Sequence, residues 1–296
     1  MSNSVVSYLA ELRRALAGVD PATLQDALAD AEEYLVEALD RARSAEPGKP
    51  DSELMAAITR EYGSPEEIAA AYRQIERHVG PPLARRPDPR PKPTRVTFFG
   101  VLADPRAWGA FIYGLIALVT GTIYFSWAMT GISVSLGLAV LVIGFPLFVM
   151  FILSVRGLSL VEGRIVEGLL GVRMPRRPVF YDRRFGLWGG CKKILKEGRT
   201  WSTLAYMILM LPLGTLYFSL LISLVAISIS LVAQPIIAHV LDLPFAHIEG
   251  ARIYLSDSMA PLVMILGGAL FIGTLHVARV IGLWHGWLAR AMLVRE

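Results

Sequence analysis

From Ala107 to Val155 the chain runs for 49 residues without one Asp, Glu, Lys, Arg or His. A helix rises 1.5 Å per residue, so about 20 apolar residues cross roughly 30 Å of hydrocarbon. The stretch is therefore long enough for two crossings, expected over 108–129 and 133–155 with a turn at Thr130-Gly131-Ile132-Ser133. Thr200 to Leu241 is a second such stretch, 42 residues with His239 as its only ionisable side chain. It reads as one long bent span, as two, or as a span with a re-entrant segment. Ser258 to Ala278 adds 21 residues interrupted only by His276, enough for one more span. The composition agrees, with 54% hydrophobic and 18% charged residues, against roughly 45–50% and about 25% in soluble domains.

Charge outside these stretches gives a topology. Segment 80–106 carries six Arg/Lys against two acids, and 156–199 carries eleven against four. Arg279, Arg290 and Arg295 stand against Glu296 in the tail, whereas 242–257 has Arg252 against Asp242, Glu249 and Asp257. Basic loops stay cytoplasmic, so an even number of spans is expected, favouring four, with both termini cytoplasmic. Residues 1–20 carry Glu11, Arg13 and Arg14 and lack an apolar core, so no cleaved signal peptide is expected. The lone Cys191 argues against a structural disulfide.

Residues 1–79 read as a small helical domain with fifteen acids and eight bases, a net charge of −7. Tyr8, Leu9, Leu12 and Leu16 fall at helical spacing. Asp20-Pro21 caps a second helix along which Leu24, Leu28, Ala31, Leu35 and Leu39 form an apolar stripe. After Pro47-Gly48-Lys49-Pro50, Asp51 or Ser52 is expected to cap a third helix through Tyr62. Ser64-Pro65-Glu66-Glu67 opens a fourth, through roughly His78. Residues 80–97 hold prolines at 81, 82, 87, 89, 91 and 93 and read as an extended spacer.

The membrane part, 98–296, repeats itself. Trp108, Tyr113, Gly121, Thr122, Tyr124, Phe125 and Ser126 recur 93 residues later as Trp201, Tyr206, Gly214, Thr215, Tyr217, Phe218 and Ser219. A second block, shifted by 123, pairs Arg156 with Arg279 and Glu162-Gly163 with His285-Gly286. The units cover about 102–171 and 195–294, and with both entering from the cytoplasm the repeat is expected to be parallel. The fold class is thus all-α: a small cytoplasmic helical domain and a polytopic helical membrane domain of four spans.

Two resemblances follow. Tyr8-Leu9-x2-Leu12 and Glu61-Tyr62-Gly63-Ser64-Pro65-Glu66-Glu67-Ile68-Ala69 resemble the HAAS family. These are helical signalling modules associated with PadR-type transcriptional regulators in bacteria. The resemblance covers about 70 residues and implies protein–protein signalling without catalytic residues. Thr200-Trp201, Tyr206, Leu211-Pro212-Leu213-Gly214, Pro235 and Gly121-x2-Tyr124-Phe125 resemble a bacterial sensor membrane domain, often found ahead of sensor histidine kinases. That resemblance implies sensing in the membrane or at the outside segment 236–258, with output through the N-terminal head.

Candidate site residues are few, and each has a plain structural explanation. Tyr124 and Tyr217 sit deep in the spans and read as helix–helix hydrogen-bonding groups or as a ligand pocket at the repeat interface. Glu162 and His285 occupy equivalent positions, as a structural hydrogen bond or a proton relay. Trp108 and Trp201 read as interface anchors. His239, Asp242, His247, Glu249 and Asp257 read as ordinary loop polarity, since their spacing matches no metal-ligand pattern. Arg173, Arg176, Arg177, Arg183, Arg184, Lys192 and Lys193 set topology, and beyond that either bind anionic lipid or dock the acidic head.

The expected function is a non-enzymatic signalling or regulatory protein of the bacterial cytoplasmic membrane. No catalytic, cofactor or metal site is expected, since no Walker A, Gly-rich dinucleotide loop, HExxH or CxxC occurs. The expected partners are membrane lipids and a cytosolic or membrane protein meeting residues 1–79, with a homo-oligomer also compatible. Nucleic acid is not expected, because the head is acidic. The alternative is a transporter component or lipid-binding protein with its site between the repeats.

Overall fold

The computed structural model describes residues 3–78, 97–138, 144–175, 198–241, 244, 246–248, 251–253 and 258–294. They form two compact units. One comprises Met1–Arg86, Ser135–Leu204 and Ala289–Glu296, the other Pro87–Val134 and Ala205–Leu288.

The head consists of α1 (Asn3–Ala15), α2 (Pro21–Ala45), α3 (Asp51–Tyr62) and α4 (Pro65–His78). In its core Tyr8, Leu12 and Leu16 of the N-terminal segment meet Ala31, Leu35 and Leu39 of the expected α2 stripe together with Ala27, and Leu54, Met55 and Ile58 of α3, while Leu24 and Leu28 of the stripe are partly buried against it. Burying each such Leu or Ile contributes about 1.5–3 kcal/mol. Asp20 caps α2, its Oδ1 accepting from the Ala22 N–H at 2.9 Å. The cap of α3 differs from expectation. Pro50 occupies it without a side-chain hydrogen bond, while Asp51, the first helical residue, receives both arms of Arg43 at 2.9 and 2.5 Å. At α4, Ser64 and Glu67 form a capping box: the Ser64 N–H donates to Glu67 at 2.8 Å, and the Glu67 N–H to Ser64 Oγ at 3.2 Å. Between α3 and α4 Gly63 has φ +109°, a backbone that a side chain strains. The Tyr8 hydroxyl donates to the Gly63 carbonyl at 2.8 Å and pins that turn to α1.

Among the described residues, four helices are long and apolar enough to cross a membrane. They are α5 (Pro105–Gly137), α6 (Gly144–Leu170), α7 (Gly198–Leu241) and α8 (Ala260–Leu293). A 3-10 turn, Phe99–Ala103, precedes α5. The turn expected at Thr130–Ser133 is absent, and α5 runs through it to Gly137. One glycine without a proline does not stop a helix in an apolar setting. The second span shifts accordingly from 133–155 to 144–170 and takes in Arg156, Glu162, Arg164 and Glu167. Arg156 is satisfied by Thr200 Oγ1 at 3.0 Å and Arg164 by Glu167 at 3.0 Å. The ambiguous stretch is a single 44-residue helix with Pro212 and Pro235 inside it. Strands β1 (Ala246–Ile248) and β2 (Ala251–Ile253) form one short antiparallel hairpin between α7 and α8.

Glycine sets how α5 meets α7. A Cβ on Gly121 would run into the Met210 carbonyl oxygen, and one on Gly214 into the Ala117 carbonyl oxygen. Gly214 is Gly121 shifted by 93, and Met210 is the same shift of Ala117. The two segments therefore cross through one contact used twice. The local hydrogen bonding also repeats, Thr122 donating to the Leu118 carbonyl at 2.7 Å and Thr215 to that of Leu211 at 2.8 Å. The order of contacts is antiparallel, however. Gly121 meets Met210 while Gly114, seven residues earlier, meets Tyr217 and Leu221, seven and eleven residues later. The parallel relation expected from loop charge is not the one these contacts show. Close backbone packing sets the direction here, and charge counting does not see it.

Candidate functional site: a buried histidine among three tyrosines

Three tyrosine hydroxyls converge on the imidazole of His285, which is fully buried on α8. Tyr113 of α5 lies 2.5 Å and Tyr206 of α7 2.9 Å from Nε2, while Tyr217 of α7 lies 3.3 Å from Nδ1. All three tyrosines are buried as well. A neutral imidazole offers one N–H and one lone pair, so Tyr113 and Tyr206 compete for a single site at Nε2. Met210 Sδ, 4.0 Å from the Tyr113 hydroxyl, is a weak alternative acceptor. The cluster can exchange protons and swap tautomers internally without any group leaving it. In an apolar surrounding such mutual satisfaction is what makes a polar cluster tolerable.

Of the residues singled out by sequence, the structure joins Tyr217 and His285. Tyr124 is buried at its own place on α5. Glu162 is buried on α6, within the unit that includes the head, whereas His285 belongs to the other unit. Tyr113 and Tyr206 were visible as a repeated pair, 93 residues apart, but not as ligands of a histidine. The usable signal was their spacing from Tyr124 and Tyr217: eleven residues is three helical turns, which returns to nearly the same face.

Two further clusters involve α8. Asp104 caps α5, its Oδ1 accepting from the Arg106 N–H at 3.1 Å, and its Oδ2 lies 3.3 Å from Arg279 Nε. That contact is an ion pair whose N–H is not aligned for a hydrogen bond. Asp20, the cap of α2, is used in the same way: its Oδ2 accepts from Arg290 at 2.5 Å. Both are Asp-Pro caps, and the two arginines sit eleven residues apart on one helix.

Of the basic set, Arg173 is described and partly buried. Arg176, Arg177, Arg183, Arg184, Lys192 and Lys193 lie outside the described residues, as do Asp242, Glu249 and Asp257. His247 is in β1, and His239 is in the last turn of α7. Trp108 and Trp201 are exposed, and the Trp108 ring N–H donates to the Leu102 carbonyl at 2.9 Å.

The model of the family described as "Putative sensor" matches residues 113–293, from the first tyrosine of the cluster to the end of α8. The chain belongs to the Sensor family. Residues 7–71 of this Sensor-family chain match the HAAS family model, so the two modules follow in the expected order. No curated relative and no solved structure matches it. The Sensor match takes in every member of the His285 cluster.

Proposed function

We propose that the protein is a membrane-embedded regulatory protein without catalytic activity. Its membrane part senses, and its N-terminal head carries the signal to a protein partner. The observation that carries this reading is the Asp20–Arg290 ion pair. It ties the first residues of the head's longest helix to the end of α8, five residues after His285. At 1.5 Å per residue that is about 7.5 Å along one helix. A change in hydrogen bonding at His285 would turn or shift α8, and Arg290 would hand that movement to the head.

The same contact supports placing the head and the C-terminal end of α8 on one face of the membrane. The basic excess of 156–199 supports the cytoplasmic face of a bacterial membrane. The test is co-purification from native membranes, comparing the full chain with one beginning at Gly80. Proteins that follow only the full chain are the expected result and name the partner. An identical set of proteins from both would overturn the head as the output module.

A further inference from the structure

We propose that Trp284, Tyr217 and His285 form a one-electron redox site that reacts with lipid peroxyl radicals of the surrounding bilayer. The chemistry stands apart from the regulatory reading and rests on it in one respect: under that reading, oxidation at this site is the stimulus.

Val280, Leu283, Trp284 and Trp287 share one face of α8, and all four are exposed. On a helix long and apolar enough to cross a membrane, that face meets acyl chains. Trp284 differs from its neighbours in what lies behind it. Its ring meets that of Tyr217 edge-on, with centroids 6.5 Å apart, and the Tyr217 ring meets His285 edge-on at 5.7 Å. Tyr217 and His285 are both buried. These three side chains therefore connect a lipid-facing surface with the polar cluster by ring contacts alone.

Indole and phenol rings give up single electrons readily, and phenols are the ordinary chain-stopping donors to peroxyl radicals. A buried phenol does so only where a base takes its proton, since a phenol cation is costly in apolar surroundings. His285 is that base. With its ring proton on Nε2, where the Tyr113 or Tyr206 oxygen accepts it, Nδ1 carries the lone pair. The Tyr217 hydroxyl, 3.3 Å away, donates to it. The peroxyl radical takes one electron from Trp284 and one proton from the medium, becoming a hydroperoxide. The indole cation radical then recovers an electron from Tyr217, whose hydroxyl proton passes to Nδ1. What remains is a neutral phenoxyl radical beside an imidazolium whose N–H groups are met by tyrosine oxygens. One proton has entered and one positive charge is left on His285, so atoms and charge balance. The hydrogen bond between α7 and α8 has also reversed, His285 now donating to Tyr217. That reversal is the change at His285 which the regulatory reading requires.

The test uses the full chain in nanodiscs of polyunsaturated phosphatidylcholine, with a lipid-soluble azo initiator under oxygen as the source of peroxyl radicals. Freeze-quenched electron paramagnetic resonance is expected to show a phenoxyl radical whose spectrum narrows when the wild-type chain carries ring-deuterated tyrosine. Tyr217→Phe is expected to lower its yield and Trp284→Phe to slow its formation, each at least about tenfold. His285→Gln, which hydrogen-bonds but is no base, is expected to lower the yield as Tyr217→Phe does. Trp287→Phe, on the same face but without a ring contact to Tyr217 among the described residues, is expected to leave yield and rate unchanged. Circular dichroism checks that the variants keep their helices, and the deuterated wild type identifies the radical without any substitution. No phenoxyl signal from wild type, or an equal yield from wild type and Tyr217→Phe, would overturn the site. Equal rates in Trp284→Phe and Trp287→Phe would overturn entry through Trp284. No protein partner is present in the nanodiscs, so failure here leaves the co-purification result standing, and the reverse also holds.

Discussion

Gly121 and Gly214 make the same contact in exchange: each lies against the backbone carbonyl four residues before the other's position, at Met210 and Ala117. The reciprocity has an energetic consequence. A methyl group at either site must displace backbone, which costs about 1–3 kcal/mol of overpacking. Gly121→Ala and Gly214→Ala are each expected to lower the thermal stability of the detergent-solubilised protein. Gly268→Ala, where a Cβ meets nothing within 4 Å, is expected to leave it unchanged. Equal behaviour of all three would mean that α5 and α7 do not cross at these glycines.

The direction of that crossing is open to a covalent test. A Cβ on Gly114 would lie 3.8 Å from the Tyr217 Cβ, the mean separation in disulfides, about 3.8 Å. With Cys191 replaced by serine, Gly114→Cys with Tyr217→Cys is expected to cross-link under mild oxidation. A parallel crossing would instead favour Gly114→Cys with Met207→Cys, its counterpart in the repeat. Mass spectrometry of the cross-linked peptide decides between them.

Competition at His285 predicts non-additive mutants. Tyr113→Phe or Tyr206→Phe alone leaves one hydroxyl for Nε2, at a cost of about 0.5–1.5 kcal/mol. The double variant strands a buried ring nitrogen and is expected to cost more than the two singles together. Unfolding in a detergent series measures all four corners of the cycle. Strict additivity would show that the hydroxyls serve separate partners.

In the head, burial pushes the Tyr8 and Tyr72 hydroxyls well above the ordinary value of 10.0, and at Tyr72 the bond to Asp30 adds to it. The folded head therefore holds these protons where the unfolded chain has released them. That stability is complete below about pH 10 and is lost as pH rises further. Helicity of the head is expected to fall in alkali. Tyr72→Phe, which cannot ionise, is expected to shift the fall to higher pH, read by circular dichroism alongside tyrosinate absorbance. A midpoint unmoved by Tyr72→Phe would mean that other groups govern it.

The head was legible almost to the residue because its signals are local. Leu12, Ala31, Leu35 and Leu39 repeat at helical spacing, and Asp20-Pro21 and Ser64-Pro65-Glu66-Glu67 are caps. The α3 cap was missed because Asp51 has a stronger use, pairing with Arg43 eight residues earlier. In the membrane part, the extent of apolar sequence was plain, but helix ends were not. Thr130-Gly131 resembles a turn only where water competes for the backbone, and α5 passes straight through it.

Sequence alone determined the number of long apolar helices, the four-helix head, the family and the repeated residues, because each depends on neighbours a few positions apart or on composition. Tertiary structure decided which repeated residues matter and to what. Tyr113 and Tyr206 became ligands of one histidine 172 and 79 residues away, and Asp20 found Arg290 across 270. Contacts at such separations arise from how helices cross. That is settled by backbone approach at glycines such as Gly121 and Gly214, which no periodicity or charge count encodes.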